Sequence, residues 1–157
     1  MGIRGVSHVA VGVRDMDRSL AFYRDVIGLK VRFDETEEFS GGSSGKFPSI
    51  KRRGVYLEYG QAGEDSFIVL DQQLGRDPFG EPAKLFQVGI HHFGFWVDDI
   101  DAIAERARAG GYEILTGPGD ADSKNYGEPS GKVVRSMFLF DPDGNSVQCD
   151  QRSAGDW

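Results

Sequence analysis

Histidine is scarce in this 157-residue chain: there are three, and each stands at the head of an alternating stretch. His8 opens HVAVGV, and the adjacent pair His91 and His92 opens HHFGFWV. An imidazole can ligate a metal or move a proton near neutral pH, so the face each ring occupies decides its use. Side chains along a strand alternate between faces, which puts His8, Ala10 and Gly12 on one side and Val9, Val11 and Val13 on the other. The valine face is expected to pack on a helix, while the nearly bare face leaves room for a ligand. By the same alternation His92 and Gly94 lie on the bare face, with Trp96 farther along, and His91 falls with Phe93, Phe95 and Val97. His92 is therefore the ligand candidate, and His91 a strand-end or helix-side residue. The chain has no compact metal motif such as HExxH, so the two rings must be brought into use by the fold.

That fold is written twice. SHVAVGVRDMDRSLAFYRDVIGLKV, from Ser7, aligns with HHFGFWVDDIDAIAERARAGGYEIL, from His91, so that His8 falls on His92 and Asp15 and Asp17 fall on Asp99 and Asp101. Residues 66–72 align likewise with 145–151, placing Val69 on Gln148 and Asp71 on Asp150. This is an internal repeat of about half the chain. In each half an alternating strand precedes a segment with helical spacing: Met16, Leu20, Tyr23 and Ile27 in the first, Ile100, Ile103, Ala104 and Ala107 in the second. Asp15 and Asp99 suit the helix N-caps, and Gly28 and the pair Gly110 and Gly111 suit the stops. Extended runs follow: LKVRFDE, GVYLEYG and DSFIVLDQ, then YEILTG, VVRSMFLF and NSVQCDQ, the last two joined by the turn DPDG. The expected fold class is α+β, one compact domain of two tandem βαβββ modules, at 1–75 and 89–157, joined by a linker at 76–88. The stretches 36–52 and 116–132 read as loops, and the second, rich in glycine and proline, is placed to cover a cleft as a lid. Its Tyr126 and Glu128 are candidate catalytic groups. Phe93, Phe95 and Trp96 read as core or pocket wall.

Composition narrows the classes. Eighteen basic residues against twenty-five acidic give a net charge of −7, so the phosphate-neutralising contribution to nucleic-acid binding is missing, and no nucleic-acid or anionic-membrane partner is expected. Cys149 is the only cysteine, which excludes an intrachain disulfide and a multi-cysteine zinc site and fits a reducing cytoplasm. No apolar stretch is long enough to span a bilayer, and the start MGIRGVSHVAV lacks the apolar run of a signal peptide.

The paired modules, each opening on a strand histidine followed by an amphipathic helix and a GLKV-like strand, resemble the vicinal oxygen chelate superfamily, as do HHFGFWVDDID and the closing MFLFDPDGNSVQ. That group includes glyoxalase I, methylmalonyl-CoA epimerase, extradiol dioxygenases, fosfomycin-resistance enzymes and bleomycin-binding proteins. The resemblance implies curved mixed sheets paired around a central cleft and a divalent metal held by the first and last strands of each module. Carried over residue by residue, the ligand positions are His8, Val69, His92 and Gln148. It also implies a homodimer.

This chain departs from the family pattern at two of the four positions. Val69 cannot bind a metal, and Gln148 binds through an amide oxygen and adds no negative charge. His8, His92 and Gln148 would leave open positions for a bidentate oxygen substrate, on Zn, Ni, Mn or Fe(II) alike. Proton transfer needs a base, which neither Val69 nor Gln148 supplies, so glyoxalase I chemistry proper is not expected. Asp71, two residues along the strand from Val69, is the nearest substitute carboxylate, with Tyr126 and Glu128 as other catalytic candidates. Trp96 and Glu58 are candidates for contacting substrate. The expected function is a metal-dependent lyase, isomerase or dioxygenase acting on a small oxygenated molecule. The alternative is a metal-free protein that sequesters a small molecule, like the bleomycin-binding branch.

Overall fold

The computed structural model describes residues 2–3, 5–39, 49–60 and 66–153. The chain divides into two compact units, Met1–Gly80 and Glu81–Trp157.

In the first unit, β1 (His8–Val13) leads into helix α1 (Met16–Phe22), followed by β2 (Lys30–Phe39), β3 (Ile50–Glu58) and β4 (Phe67–Leu74). The sheet order is β1-β4-β3-β2, with β1 and β4 parallel and the other pairs antiparallel. A mixed sheet results because the helix carries the chain back across the sheet, as a parallel neighbour requires. The alternation in β1 has the expected outcome: Val11 and Val13 are buried, and His8, Ala10 and Gly12 are exposed. Asp15 caps α1, its Oδ1 accepting from the Arg18 amide at 3.0 Å, a contact worth about 1 kcal/mol. The helix widens into a π-helical turn, Tyr23–Ile27, and stops at Gly28, whose φ of 101° favours glycine. Met16, Leu20, Phe22, Tyr23 and Val26 form the helix side of the core, with Val55, Leu57, Ile68 and Leu70 from the sheet.

The second unit repeats the plan. β5 (Phe93–Trp96) leads into α2 (Ile100–Ala109), followed by β6 (Ile114–Asp122), β7 (Val133–Phe140) and β8 (Ser146–Arg152), in the order β5-β8-β7-β6. Asp99 caps α2 at the Ala102 amide, 3.0 Å away. One further contact appears in both units: the Gln72 side-chain oxygen accepts from the Met16 amide at 3.1 Å, and that of Gln151 from the Ile100 amide at 3.0 Å. Each last strand thus satisfies an amide at the start of its helix, which the helix itself cannot pair. Ile100, Ile103, Ala104 and Ala107 pack against Phe95, Met137, Leu139, Val147 and Cys149.

Two expected loops are corrected. β2 runs to Phe39 and β3 starts at Ile50, so the stretch read as a loop from 36 to 52 is strand at both ends; residues 40–48 lie outside the described residues. In the second unit β6 extends to Asp122 through TGPGDAD, the first part of the expected lid. The glycines and Pro118 interrupt the ladder without ending it, because the register against β7 shifts on either side of Thr116 and pairing resumes at Gly119. A short 3₁₀ helix, Ser123–Tyr126, then carries the chain to β7.

Candidate functional site

The open face of the second unit carries a concavity of about 570 Å³. Its floor comes from β5, β7 and β8, where register sets Gly94 beside Gln148, Trp96 beside Asp150, Phe138 beside Gln148 and Ser136 beside Asp150. Gly94 adds no side chain to this floor, where a Cβ would make only ordinary contact with that of Gln148, at 3.5 Å. The 3₁₀ helix brings Asn125 and Tyr126 to the rim. It is anchored by Asp122, whose carboxylate accepts from the Lys124 amide at 2.8 Å and the Ser130 hydroxyl at 2.6 Å.

A polar network runs across the floor. The Tyr126 hydroxyl donates to Asp150 Oδ1 at 2.7 Å, and the Gln148 amide nitrogen donates to the same oxygen at 2.9 Å and to Ser136 Oγ at 3.2 Å. With the nitrogen of Gln148 committed to these acceptors, its carbonyl oxygen is the end left for a ligand. Asp150 is only 6% exposed, and these donors answer the cost of burying a carboxylate. Burial raises the pKa of Tyr126 and its hydrogen bond to Asp150 adds to this, so the phenol stays protonated at neutral pH.

His92 lies on the same wall, its ring edge-on to Phe138 at 5.4 Å. Its Nδ1 is 2.8 Å from Nδ1 of His91, which leaves Nε2 as the nitrogen for a ligand. Burial, reinforced by His91 and opposed by Asp150, lowers its pKa below 6.5. The imidazole is thus neutral at physiological pH, the form that binds a metal or accepts a proton. Trp96 packs against Tyr126, with ring centroids 5.4 Å apart, and Arg152 lies 4.2 Å above the indole. Glu128 holds both terminal nitrogens of Arg152.

Of the residues singled out in the sequence, the concavity gathers His92, Gln148, Trp96 and Tyr126. Glu128 supports it from behind through Arg152. The remaining candidates lie in the first unit. His8 is stacked on Phe67 at 5.1 Å, its Nδ1 3.0 Å from the Ser7 hydroxyl. Val69 is 4% exposed. Asp71 is ion-paired with Arg52, which also binds Glu37 at 2.8 Å and the Tyr56 hydroxyl at 3.1 Å. Burial, opposed by Arg52, raises the pKa of Asp71. Glu58 ends β3 opposite Lys30 and Phe67.

Sequence reasoning missed Asp150, Ser136 and Arg52. The signal for Asp150 was present, since it lies two residues beyond Gln148 and repeats Asp71. For Ser136 and Arg52, only cross-strand register reveals the partners.

In the second unit the imidazole of His92 and the amide oxygen of Gln148 are donors whose chemistry suits a divalent metal, whereas Val69 of the first unit offers none. Among the described residues no group of three histidine, cysteine, aspartate or glutamate side chains converges as a metal site.

Fold and site together define a tandem βαβββ protein with a histidine opening the first strand of one unit and another standing just before the first strand of the other. The chain belongs to the Glyoxalase/Bleomycin resistance protein/Dioxygenase superfamily, which it matches over residues 5–149. It is 29% identical over 149 residues to a probable chloroplastic lactoylglutathione lyase of Arabidopsis thaliana, covering 95% of this chain and 36% of that protein, so it spans about a third of that relative's length. It is 25% identical over 147 residues to a probable lactoylglutathione lyase of Synechocystis sp., covering 94% of this chain and 95% of that one. A glyoxalase family protein from Bacillus cereus has the same fold, with a TM-score of 0.75 at 17% identity, over 97% of this chain and 96% of that one.

Proposed function

We propose that this protein is a metal-dependent enzyme of its superfamily, a lyase or isomerase, acting on a small oxygenated substrate in the concavity of the second unit. The observation that carries the proposal is the orientation of Gln148: its nitrogen is tied to Asp150 and Ser136, so its oxygen and Nε2 of His92 are the donors left on one wall. These are donors suited to a divalent ion, Zn, Ni, Mn or Fe(II). When bound, the ion polarises substrate oxygens as a Lewis acid and stabilises negative charge on them.

The chain's own residues supply the rest. Asp150 and Tyr126 form a hydroxyl–carboxylate pair through which a proton can pass between substrate and protein, the carboxylate accepting and the phenol donating. This pair takes the role that Val69 and Asp71 leave unfilled, since Asp71 is held by Arg52. Trp96, Tyr126 and Phe138 supply the aromatic part of the lining. Glu128 acts through Arg152 and Trp96 as a positioning residue.

Elemental mass spectrometry of the purified protein tests the proposal. Near one equivalent of a transition metal, lost in His92→Ala, supports it; no metal, and no uptake of Zn, Ni, Mn or anaerobic Fe(II), overturns it. The second reading, a metal-free binding protein, is favoured by one observation: buried Val69 stands where the family resemblance expects a ligand. A homodimer and a cytoplasmic location belong to the proposal as well. The family and the exposed Phe86, Val88 and Ile90 support the dimer. For the location the support is that the single cysteine, Cys149, is free and buried.

A further inference from the structure

The segment that carries Tyr126 to the concavity is closed on itself. Pairing of β6 with β7 ends at Asp122 and Val133, so residues 123–132 lie beyond the ladder. The neck of this segment is tied by the Ser123 amide, which donates to the Lys132 carbonyl at 2.9 Å. Its interior is tied by the buried Ser123 hydroxyl, which donates to the Pro129 carbonyl at 2.5 Å. The Gly127 amide donates to the Lys124 carbonyl at 3.1 Å. A loop packed by its own bonds keeps its shape when it moves as a unit.

Side chains tie the segment to the floor. The Tyr126 hydroxyl donates to Asp150 Oδ1 at 2.7 Å, the Tyr126 ring packs on Trp96, and Glu128 grips Arg152, itself stacked on that indole. The amide nitrogen of Gln148 sits among Asp150, Ser136 and the Tyr126 hydroxyl, the last at 3.4 Å. With the segment down, these three groups fix the amide plane and set its oxygen for a ligand. With it lifted, Gln148 loses one of the three and Asp150 loses the phenol. The anchors named leave Nε2 of His92 and the Gln148 oxygen untouched, so a divalent ion and the lowered segment are compatible.

We propose that residues 123–132 form a lid whose closure and the binding of a divalent ion favour each other. The closed lid orients Gln148 for the ion, and the ion, by fixing Gln148, holds the lid down; Tyr126, Glu128 and Arg152 are its positioning residues. This rests on the ion binding at His92 and Gln148, as proposed above. Coupling of this kind is reciprocal: releasing the lid weakens the ion by the factor by which the ion steadies the lid.

Zn titration of the chelator-stripped full chain, with NMR relaxation dispersion before and after Zn, tests the coupling. In the wild type, exchange confined to residues 123–132 should report an open population that Zn lowers about tenfold. The double variant Tyr126→Phe, Glu128→Gln, which releases both anchors, should bind Zn about tenfold more weakly, and Zn should restore its closed-lid signals. A merely destabilised chain would show neither change in its folded fraction. Should the double variant fail to fold, Arg152→Gln alone should weaken Zn by about threefold. Equal Zn affinity in the wild type and the released variant, an open population indifferent to Zn, or no exchange confined to the lid overturns the inference and leaves the enzyme reading standing. No uptake of Zn or of the other ions named above by the wild type overturns the enzyme reading and the coupling with it.

Discussion

At the scale of the residue, the two units put the same acidic position to different uses. Asp71 is closed off by Arg52, whereas Asp150 is held by the neutral donors Tyr126 and Gln148 and faces the concavity. Removing the phenol leaves a buried carboxylate short of a donor, so Tyr126→Phe should cost about 1–2 kcal/mol in urea unfolding. Tyr56→Phe, which removes one of several partners of Arg52, should cost less than half as much. His92 sets a pH dependence. Its folded-state pKa lies below 6.5, so the unfolded chain takes up a proton first as pH falls. This contribution to stability is complete above pH 6.5 and is lost as pH falls through that value toward the lower, folded one. Denaturation at pH 7.5 and 5.5 should show that loss shrinking in His92→Gln, and an imidazole titration by NMR should place His92 below 6.5. Cys149, pushed up to about 12 by burial, should resist thiol reagents in the folded protein.

At the scale of the element, β6 decides whether Tyr126 reaches the floor. Gly117 has a φ of +87°, and a Cβ there would lie 2.4 Å from the Ser136 carbonyl oxygen. Gly117→Ala therefore strains the backbone and pushes β6 from β7, at a cost of about 2–3 kcal/mol. Metal uptake should weaken along with stability, because the 3₁₀ helix that brings Tyr126 to Asp150 and Gln148 follows directly from β6. Gly119→Ala, where a Cβ meets nothing within 4 Å, is the control and should be nearly silent. Core positions should behave differently: Leu139→Ala, which truncates a fully buried side chain of β7, should cost about 2–4 kcal/mol with metal uptake retained in the folded fraction.

At the scale of the whole molecule, the net charge of −7 and the exposed Phe79, Phe86, Val88 and Ile90 near the junction of the units bear on assembly. Sedimentation equilibrium at micromolar concentration should give twice the 17.3 kDa chain mass, and a single 17.3 kDa species would remove the homodimer from the proposal. The family was legible in the sequence because the repeat is local: a strand of period two, a capped helix and a turn signal, each encoded within a few residues and then encoded again. His92 and Trp96 could be placed on one face from pleat and repeat alone, and Gln148 was added to them by the family resemblance. The course of β6 was not legible, because TGPGDAD reads as loop by composition, and only its pairing with β7 supplies the hydrogen bonds that hold it extended. The fate of the two aspartates was hidden for the same reason. Asp71 and Asp150 are equivalent along the chain, and what separates them is the side chain across the sheet: Arg52 reaches one, while Tyr126 and Gln148 serve the other. Sequence by itself determined the opening strand and helix of each unit and the faces of their side chains, since those follow from local periodicity. Tertiary structure alone decided which carboxylate is neutralised and which faces the concavity, since electrostatic partners are chosen by distance in space.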